Sequence, residues 1–211
     1  MAKTPILALS RKKLILAQVK GSSVEEKFRE SWDVVTLEAL LGKVHKQRSL
    51  SKVRILLSED LSHYAQFTLD NHVADKDIRQ TVADRLATLV PEEIHDKDWD
   101  FKVVETTKKE KEIFAFVPVE QVFTPLTKTL SKLNIAIEAV EPEAVAKLRN
   151  ENPFIGLSLK KDLTGKDTQT LNISTEKQTA WSTQRIFYLL IGLMIIVTML
   201  VTASLTYFSN L

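Results

Sequence analysis

Short apolar runs separated by charged turns fill the first sixty residues. Pro5 to Leu9 and Lys13 to Val19 flank Ser10-Arg11-Lys12, which predicts a β-hairpin, and the weaker alternation from Val24 to Val34 predicts a third strand. Leu37, Leu40, Leu41 and Val44 then recur at helical spacing behind Thr36, a residue suited to a helix N-cap. Beyond the basic turn Lys46 to Lys52, Val53 to Leu57 reads as a buried strand ending at the acidic Ser58-Glu59-Asp60.

The middle of the chain repeats this grammar. His63 to Leu69 alternates as a strand, and Ile78, Val82, Leu86, Leu89 and Val90 mark a helix from about Asp75 that stops at Pro91. Trp99 to Glu105 and Glu112 to Val119 predict a second hairpin around Thr107 to Lys111. Glu120 to Leu133 is an amphipathic helix with Asn134 as its C-cap, and Ile135 to Val140 is a further strand. Pro142 opens a last helix, Glu143 to Leu148.

From Gly156 to Ala180 the sequence turns polar, rich in Lys, Thr, Asp and Gln, and is expected to be a tether. Flexible, its roughly 25 residues would span about 25–30 Å. Ile186 to Phe208 follows without a charged side chain. As a helix it would cover roughly 34 Å, against a bilayer hydrocarbon core of about 30 Å. Tyr188 and Tyr207 near its ends suit the headgroup level, and Gly192 offers a small surface that suits helix contact or lipid equally, with no Gly-x-x-x-Gly pattern. This predicts a transmembrane anchor running from Ile186 to Phe208. Lys177 and Arg185 precede it while only Ser209, Asn210 and Leu211 follow, so the N-terminal domain is expected to be cytoplasmic and insertion post-translational, as for a tail-anchored protein.

Composition narrows the chemistry. No cysteine is present, which removes disulfides, thiolate catalysis and cysteine-based zinc sites. A net charge of +2, from 29 basic and 27 acidic residues, is too balanced to point to nucleic acid. His45, His63, His72 and His95 stand singly, without a metal-binding pair at helical spacing. Gly165-Lys166 lacks the upstream glycine of a phosphate loop, and Asn172-Ile173-Ser174 matches a glycosylation pattern without meaning on a cytoplasmic face. Glu59-Asp60 and Glu92-Glu93 read as solvated turn and helix-end residues. The basic stretch Lys43, Lys46, Arg48 and Lys52, and Lys160-Lys161 in the tether, would attract anionic lipid if close to it, although solvated surface is the plainer reading.

The segment order resembles the actin-like assembly proteins of type IV pili and type II secretion, the PilM and GspL group, and more distantly the cell-division protein FtsA. Three stretches carry the likeness: the hairpin Ile6 to Val19, the passage from Val53-Arg-Ile-Leu-Leu-Ser58 into the Asp75 to Val90 helix, and the block from Trp99 through Ile113 to Val122 and Leu133 to Ala144. The resemblance implies an α+β fold. It would comprise a partial actin-like, ribonuclease H-like lobe over residues 1–60, a small inserted α/β subdomain with a return helix over 61–155, a tether over 156–185 and the anchor over 186–208. Members that bind ATP carry an aspartate and glycines in the first hairpin turn. Here Ala8-Leu-Ser-Arg-Lys-Lys13 has neither, and the family's second lobe has no room in the chain.

The expected function is therefore a noncatalytic, membrane-anchored scaffold without a cofactor, recruiting partners to an inner-membrane machine of the pilus or secretion type. Its partners would be other membrane-associated assembly proteins and the lipid bilayer, with self-association open. Two other readings stay open: a nucleotide-binding switch completed by a second subunit, and an unrelated α+β interaction protein held at a membrane.

Overall fold

The computed structural model of the chain describes residues 3–91, 93–94 and 98–160. β1 (Thr4–Leu9) and β2 (Lys13–Lys20) form the expected hairpin, with Thr4 opposite Val19 and Leu9 opposite Leu14. β3 (Ser23–Ser31) extends it antiparallel, with a register shift between Leu16 and Ala17. α1 (Leu37–Arg48) then crosses to β4 (Lys52–Leu57), which lies parallel to β1. Thr36 occupies the N-cap position of α1, yet its side chain caps nothing. Its N–H instead donates to Asp33 Oδ1 at 2.7 Å, and Thr36 Oγ1 accepts from the Asp33 N–H at 3.0 Å.

β5 (Ser62–Asp70) opens a second, three-stranded sheet. α2 (Asp75–Leu89), β6 (Asp100–Thr106) and β7 (Glu110–Pro118) complete it, in the order β5-β7-β6. Ile78, Val82 and Leu86 of α2 pack on Ala65, Leu69, Ile113, Ala115 and Val117, with Trp99 at the edge. Leu89, predicted on this apolar face, is 55% exposed at the last position of α2.

α3 (Glu120–Lys132) returns to the first layer and packs on α1. Asn134, at φ 54°, lies one residue beyond the C-cap Leu133, in the left-handed conformation that asparagine tolerates at a helix end. β8 (Ala136–Pro142) then joins β4 in parallel and completes the first sheet as β3-β2-β1-β4-β8. The inserted sheet thus comprises strands between residues 62 and 118, and β8 belongs to the first lobe rather than to the insertion. Leu7, Leu9, Leu14, Leu16, Ile55 and Leu57 on one face of the large sheet meet Leu37, Leu41 and Val44 of α1 and Phe123, Leu126 and Leu130 of α3.

α4 (Glu143–Lys147) and α5 (Pro153–Ser158) cover the other face, where Ile6, Ala8, Val19, Leu56 and Ala139 meet Ala146 and Leu157. Residues 156–160, expected to begin a polar tether, therefore belong to the folded unit. A Cβ on Gly156 would lie 2.0 Å from the Ala146 carbonyl oxygen, so the glycine serves close helix packing and not chain flexibility. Among the described residues no helix is long and apolar enough to cross a membrane. The predicted anchor, with Ile186, Tyr188, Gly192, Tyr207 and Phe208, its flanking Lys177 and Arg185, and the rest of the tether lie outside the described residues.

Candidate functional site

In open sheets with parallel strands, ligands gather at the carboxyl ends of those strands. Here β1, β4 and β8 deliver three segments to that edge: the Ser10 to Lys13 turn, the 3-10 turn Glu59–Leu61, and Glu143 at the start of α4. The hairpin turn is tight. The Ser10 N–H donates to the Lys13 carbonyl at 3.0 Å, the Lys13 N–H reaches Ser10 Oγ at 3.2 Å, and Trp32 Nε1 donates to the Ser10 carbonyl at 2.7 Å.

A phosphate-binding turn needs free backbone N–H groups. The Arg11 N–H is already committed: it donates to Asp60 Oδ2 at 3.2 Å, and Arg11 Nε donates to the Asp60 carbonyl at 3.3 Å. Ser58 Oγ donates to the other oxygen of the Asp60 carboxylate, and the Ser58 N–H reaches the Leu9 carbonyl at 2.9 Å. The turn thus holds a carboxylate of its own chain where an anion would sit.

The same edge carries both signs of charge, Arg11, Lys12 and Lys13 on the turn and Glu59, Asp60 and Glu143 on the other two segments. Burial raises the Glu143 carboxyl above its usual 4.5, with Lys147 opposing and Glu59 and Asp60 adding to the rise. Burial also pushes the Tyr64 hydroxyl up to about 12, with the Ser62 hydroxyl opposing and Glu59 and Glu143 adding. A raised carboxyl pKa means that the folded chain binds more protons than the unfolded one from about pH 4.5 up through the raised value, so stability falls as pH rises across that window. Glu143→Gln is expected to flatten this part of the pH profile and to raise the urea midpoint at neutral pH. An unchanged profile would remove Glu143 as its cause.

The other candidate residues are dispersed. His45 Nδ1 lies 3.1 Å from the Leu50 carbonyl, His63 is on β5, and His72 follows β5 with its N–H on Asp70 Oδ1 at 2.8 Å. His95 and Glu92 lie outside the described residues, and among those described no group of three ligands is placed to hold a metal ion. The basic stretch is largely engaged within the fold. Lys43 pairs with Glu30 at 3.2 Å and lies over the Phe28 ring, Lys52 pairs with Glu138 at 2.7 Å, and Arg48 donates to the Lys27 carbonyl at 3.3 Å. Gly165, Lys166, Lys161 and Asn172 to Ser174 lie outside the described residues.

Lys160 departs furthest from expectation. Read as a solvated lysine, it is buried, with Nζ 3.1 Å from Glu141 Oε1 and no side-chain exposure on either partner. Arg149 pairs with the second Glu141 oxygen and donates from Nε to the Gly156 carbonyl at 2.9 Å. Arg54, half-way along β4, pairs with Glu138 at 3.3 Å and donates from Nη1 to the carbonyls of Leu157, Ser158 and Lys160 at 2.8, 3.0 and 3.1 Å. No local pattern announces these contacts, because Arg54 and its carbonyl partners stand more than a hundred residues apart in sequence.

No protein-family model matches the chain, and no curated protein sequence matches it. Solved structures do. A chain of the PilM–PilN type IV pilus biogenesis complex aligns with a TM-score of 0.50 at 12% identity, covering 70% of this chain and 49% of that one. The cytoplasmic domain of EpsL, an inner-membrane component of the type II secretion system of Vibrio cholerae, aligns at 0.48 and 12% identity over 69% of this chain and 59% of that one. A Bacteroides thetaiotaomicron protein of unknown function with an actin-like ATPase fold aligns at 0.38 and 11% identity, over 69% and 54%. The chain spans between half and three fifths of the length of these proteins. The mixed α+β fold is shared with the pilus-complex chain, and at the level of fold this agrees with the resemblance read from the sequence.

Proposed function

We propose that this chain is a noncatalytic scaffold that recruits assembly partners to an inner-membrane machine of the pilus or secretion type, held at the cytoplasmic face by its C-terminal apolar run. The observation that carries the reading is the fold shared, over 70% of the chain, with a component of a complex that builds type IV pili. The closed turn supports the noncatalytic part. With the Arg11 N–H bound to Asp60 and no glycine between Ala8 and Lys13, a nucleotide phosphate would have to displace a carboxylate of the chain itself from a turn that lacks close backbone approach. The uncharged run Ile186 to Phe208 supports the anchor. Confinement at a membrane raises the effective concentration of the domain for other membrane-bound components, so modest interfaces suffice.

Calorimetric titration of the full chain in detergent micelles with ATP and magnesium is expected to show no binding. Micromolar affinity would overturn the noncatalytic reading in favour of a nucleotide switch. Protease added outside intact spheroplasts is expected to leave the N-terminal domain whole, and its digestion there would refute the cytoplasmic placement.

A further inference from the structure

The small sheet and α3 meet at a seam. Val117 and Pro118 of β7 and Phe123 of α3 line a small cavity there, of about 10 Å³, together with Asp98, Trp99 and Glu120. Val117 and Trp99 belong to the core under α2 and Phe123 to the core of the large sheet, so the cavity lies between the two. Trp99 is 1% exposed, and its Nε1, which can only donate, has no hydrogen-bond partner among the described residues. The ring is held across its faces: the Arg79 guanidinium lies over it, 4.4 Å from the centroid, and the Phe101 ring stacks on it at 6.0 Å. Trp32 differs, since its Nε1 donates to the Ser10 carbonyl at 2.7 Å.

We propose that this cavity holds one structural water that accepts from Trp99 Nε1 and donates to the carboxylates of Asp98 and Glu120, bridging the inserted sheet and α3. Size and chemistry both select it. Roughly 10–15 Å³ is the room a single water needs, and nothing as large as a phosphate or a carboxylate enters. A bare cation cannot accept from an N–H, and an anion would stand against two carboxylates. Water accepts from the indole and donates twice, and both carboxylate side chains are half-buried and line the cavity. A buried donor left unmet is costly, and in folded proteins nearly all are met by protein groups or by ordered water.

Trp99 stands just before β6 and Glu120 opens α3. One water therefore ties the inserted sheet to a helix of the first lobe, at a point that no direct hydrogen bond from Trp99 reaches. The bridge does not depend on the function proposed above, and either can fail without the other.

Water-proton NOE and ROE spectra of the full chain in micelles test the bridge directly. The chain carries three tryptophans, which are isotopically labelled, and Trp181→Phe removes the one outside the described residues. The Trp99 indole proton is assigned through the neighbouring Phe101 ring. It is expected to show water cross-peaks of opposite sign in the two spectra, the mark of a water that tumbles with the protein. The Trp32 proton, already bonded to the Ser10 carbonyl, is expected to show none. Absence of the Trp99 peaks would overturn the bound water. Peaks of equal sign in both spectra, which arise from bulk exchange or surface hydration, would overturn it equally. Glu120→Ala removes one acceptor and is expected to weaken the Trp99 peaks by about threefold or more, with the Trp32 resonance unmoved. Undiminished peaks in Glu120→Ala would overturn the bridge to α3.

Discussion

Phe116→Ala is expected to lower stability by about 3–5 kcal/mol, the range for emptying a fully buried phenylalanine site. Phe116 sits on β7 of the small sheet, yet its side chain, with no exposure, lies in the core formed by the large sheet, α1 and α3. Its neighbours Ala115 and Val117 pack into the other core, under α2. Tyr64 stacks on it from β5, with ring centroids 6.2 Å apart. One strand therefore contributes side chains to both cores, and Phe116 is its fully buried link to the first, with Phe114 and Tyr64 half-buried beside it. The consequence is cooperative. Trp32 reports on the first core and Trp99 on the second, so variants keeping one or the other tryptophan follow each core through a urea titration. Both midpoints are expected to fall together in Phe116→Ala. A fall at Trp99 alone, or a loss below about 1 kcal/mol, would mean that the cores are not coupled through this side chain.

Much of the fold was legible because its elements announce themselves locally. The hairpin around Ser10-Arg11-Lys12, the strand Val53 to Leu57 and the face of Leu37, Leu41 and Val44 follow from periodicity, and the structure places them where that periodicity points. α5 was illegible for a physical reason. Six residues hold too few turns for a helical period, and its docking rests on Arg54, Arg149 and Glu141, which lie elsewhere in the chain. Gly156 then misled, since a glycine at the edge of a polar stretch reads as a loosening of the chain. Its actual setting is a contact with the Ala146 carbonyl too close for any Cβ.

The candidate site divides in the same way. The missing glycines of the first turn could be read directly, and they argue against close approach of phosphate. That Asp60 fills the turn could not, because 49 residues separate it from Arg11 and nothing in Ser58-Glu59-Asp60 names a partner. Lys160 shows the general limit. A lysine followed by lysine in a polar stretch is normally solvated, and only the three-dimensional position of Glu141 overrides that expectation.

Glu141→Ala is the second substitution with a large expected effect. Breaking a buried pair by removing one member costs about 3–5 kcal/mol, because the charge left behind stays buried without compensation. Burial of a leucine such as Leu157 returns only about 1.5–3 kcal/mol. Leu157, with Phe154 and Ile155 packed beside it and carbonyls held by Arg54, opposes wholesale release, and Lys160 relieves the penalty by loosening the segment that carries it. The loss is then expected locally, as a drop of roughly a hundred- to a thousandfold in amide-exchange protection over residues 153–160, while the amides of β1 and β4 change far less. The paired variant Glu141→Met with Lys160→Met removes the two fully buried charges and leaves apolar side chains of similar length, which is often neutral for stability, while the partly exposed Arg149 loses Glu141 but keeps the Gly156 carbonyl. Its protection over 153–160 is expected to return to within about tenfold of the unaltered chain, since Arg54 still holds the three carbonyls. A fall of less than tenfold in Glu141→Ala would mean that the pair contributes little to the docking of α5. A failure of the paired variant to recover would mean that the ion pair itself, and not the penalty of an orphaned lysine, holds the segment down.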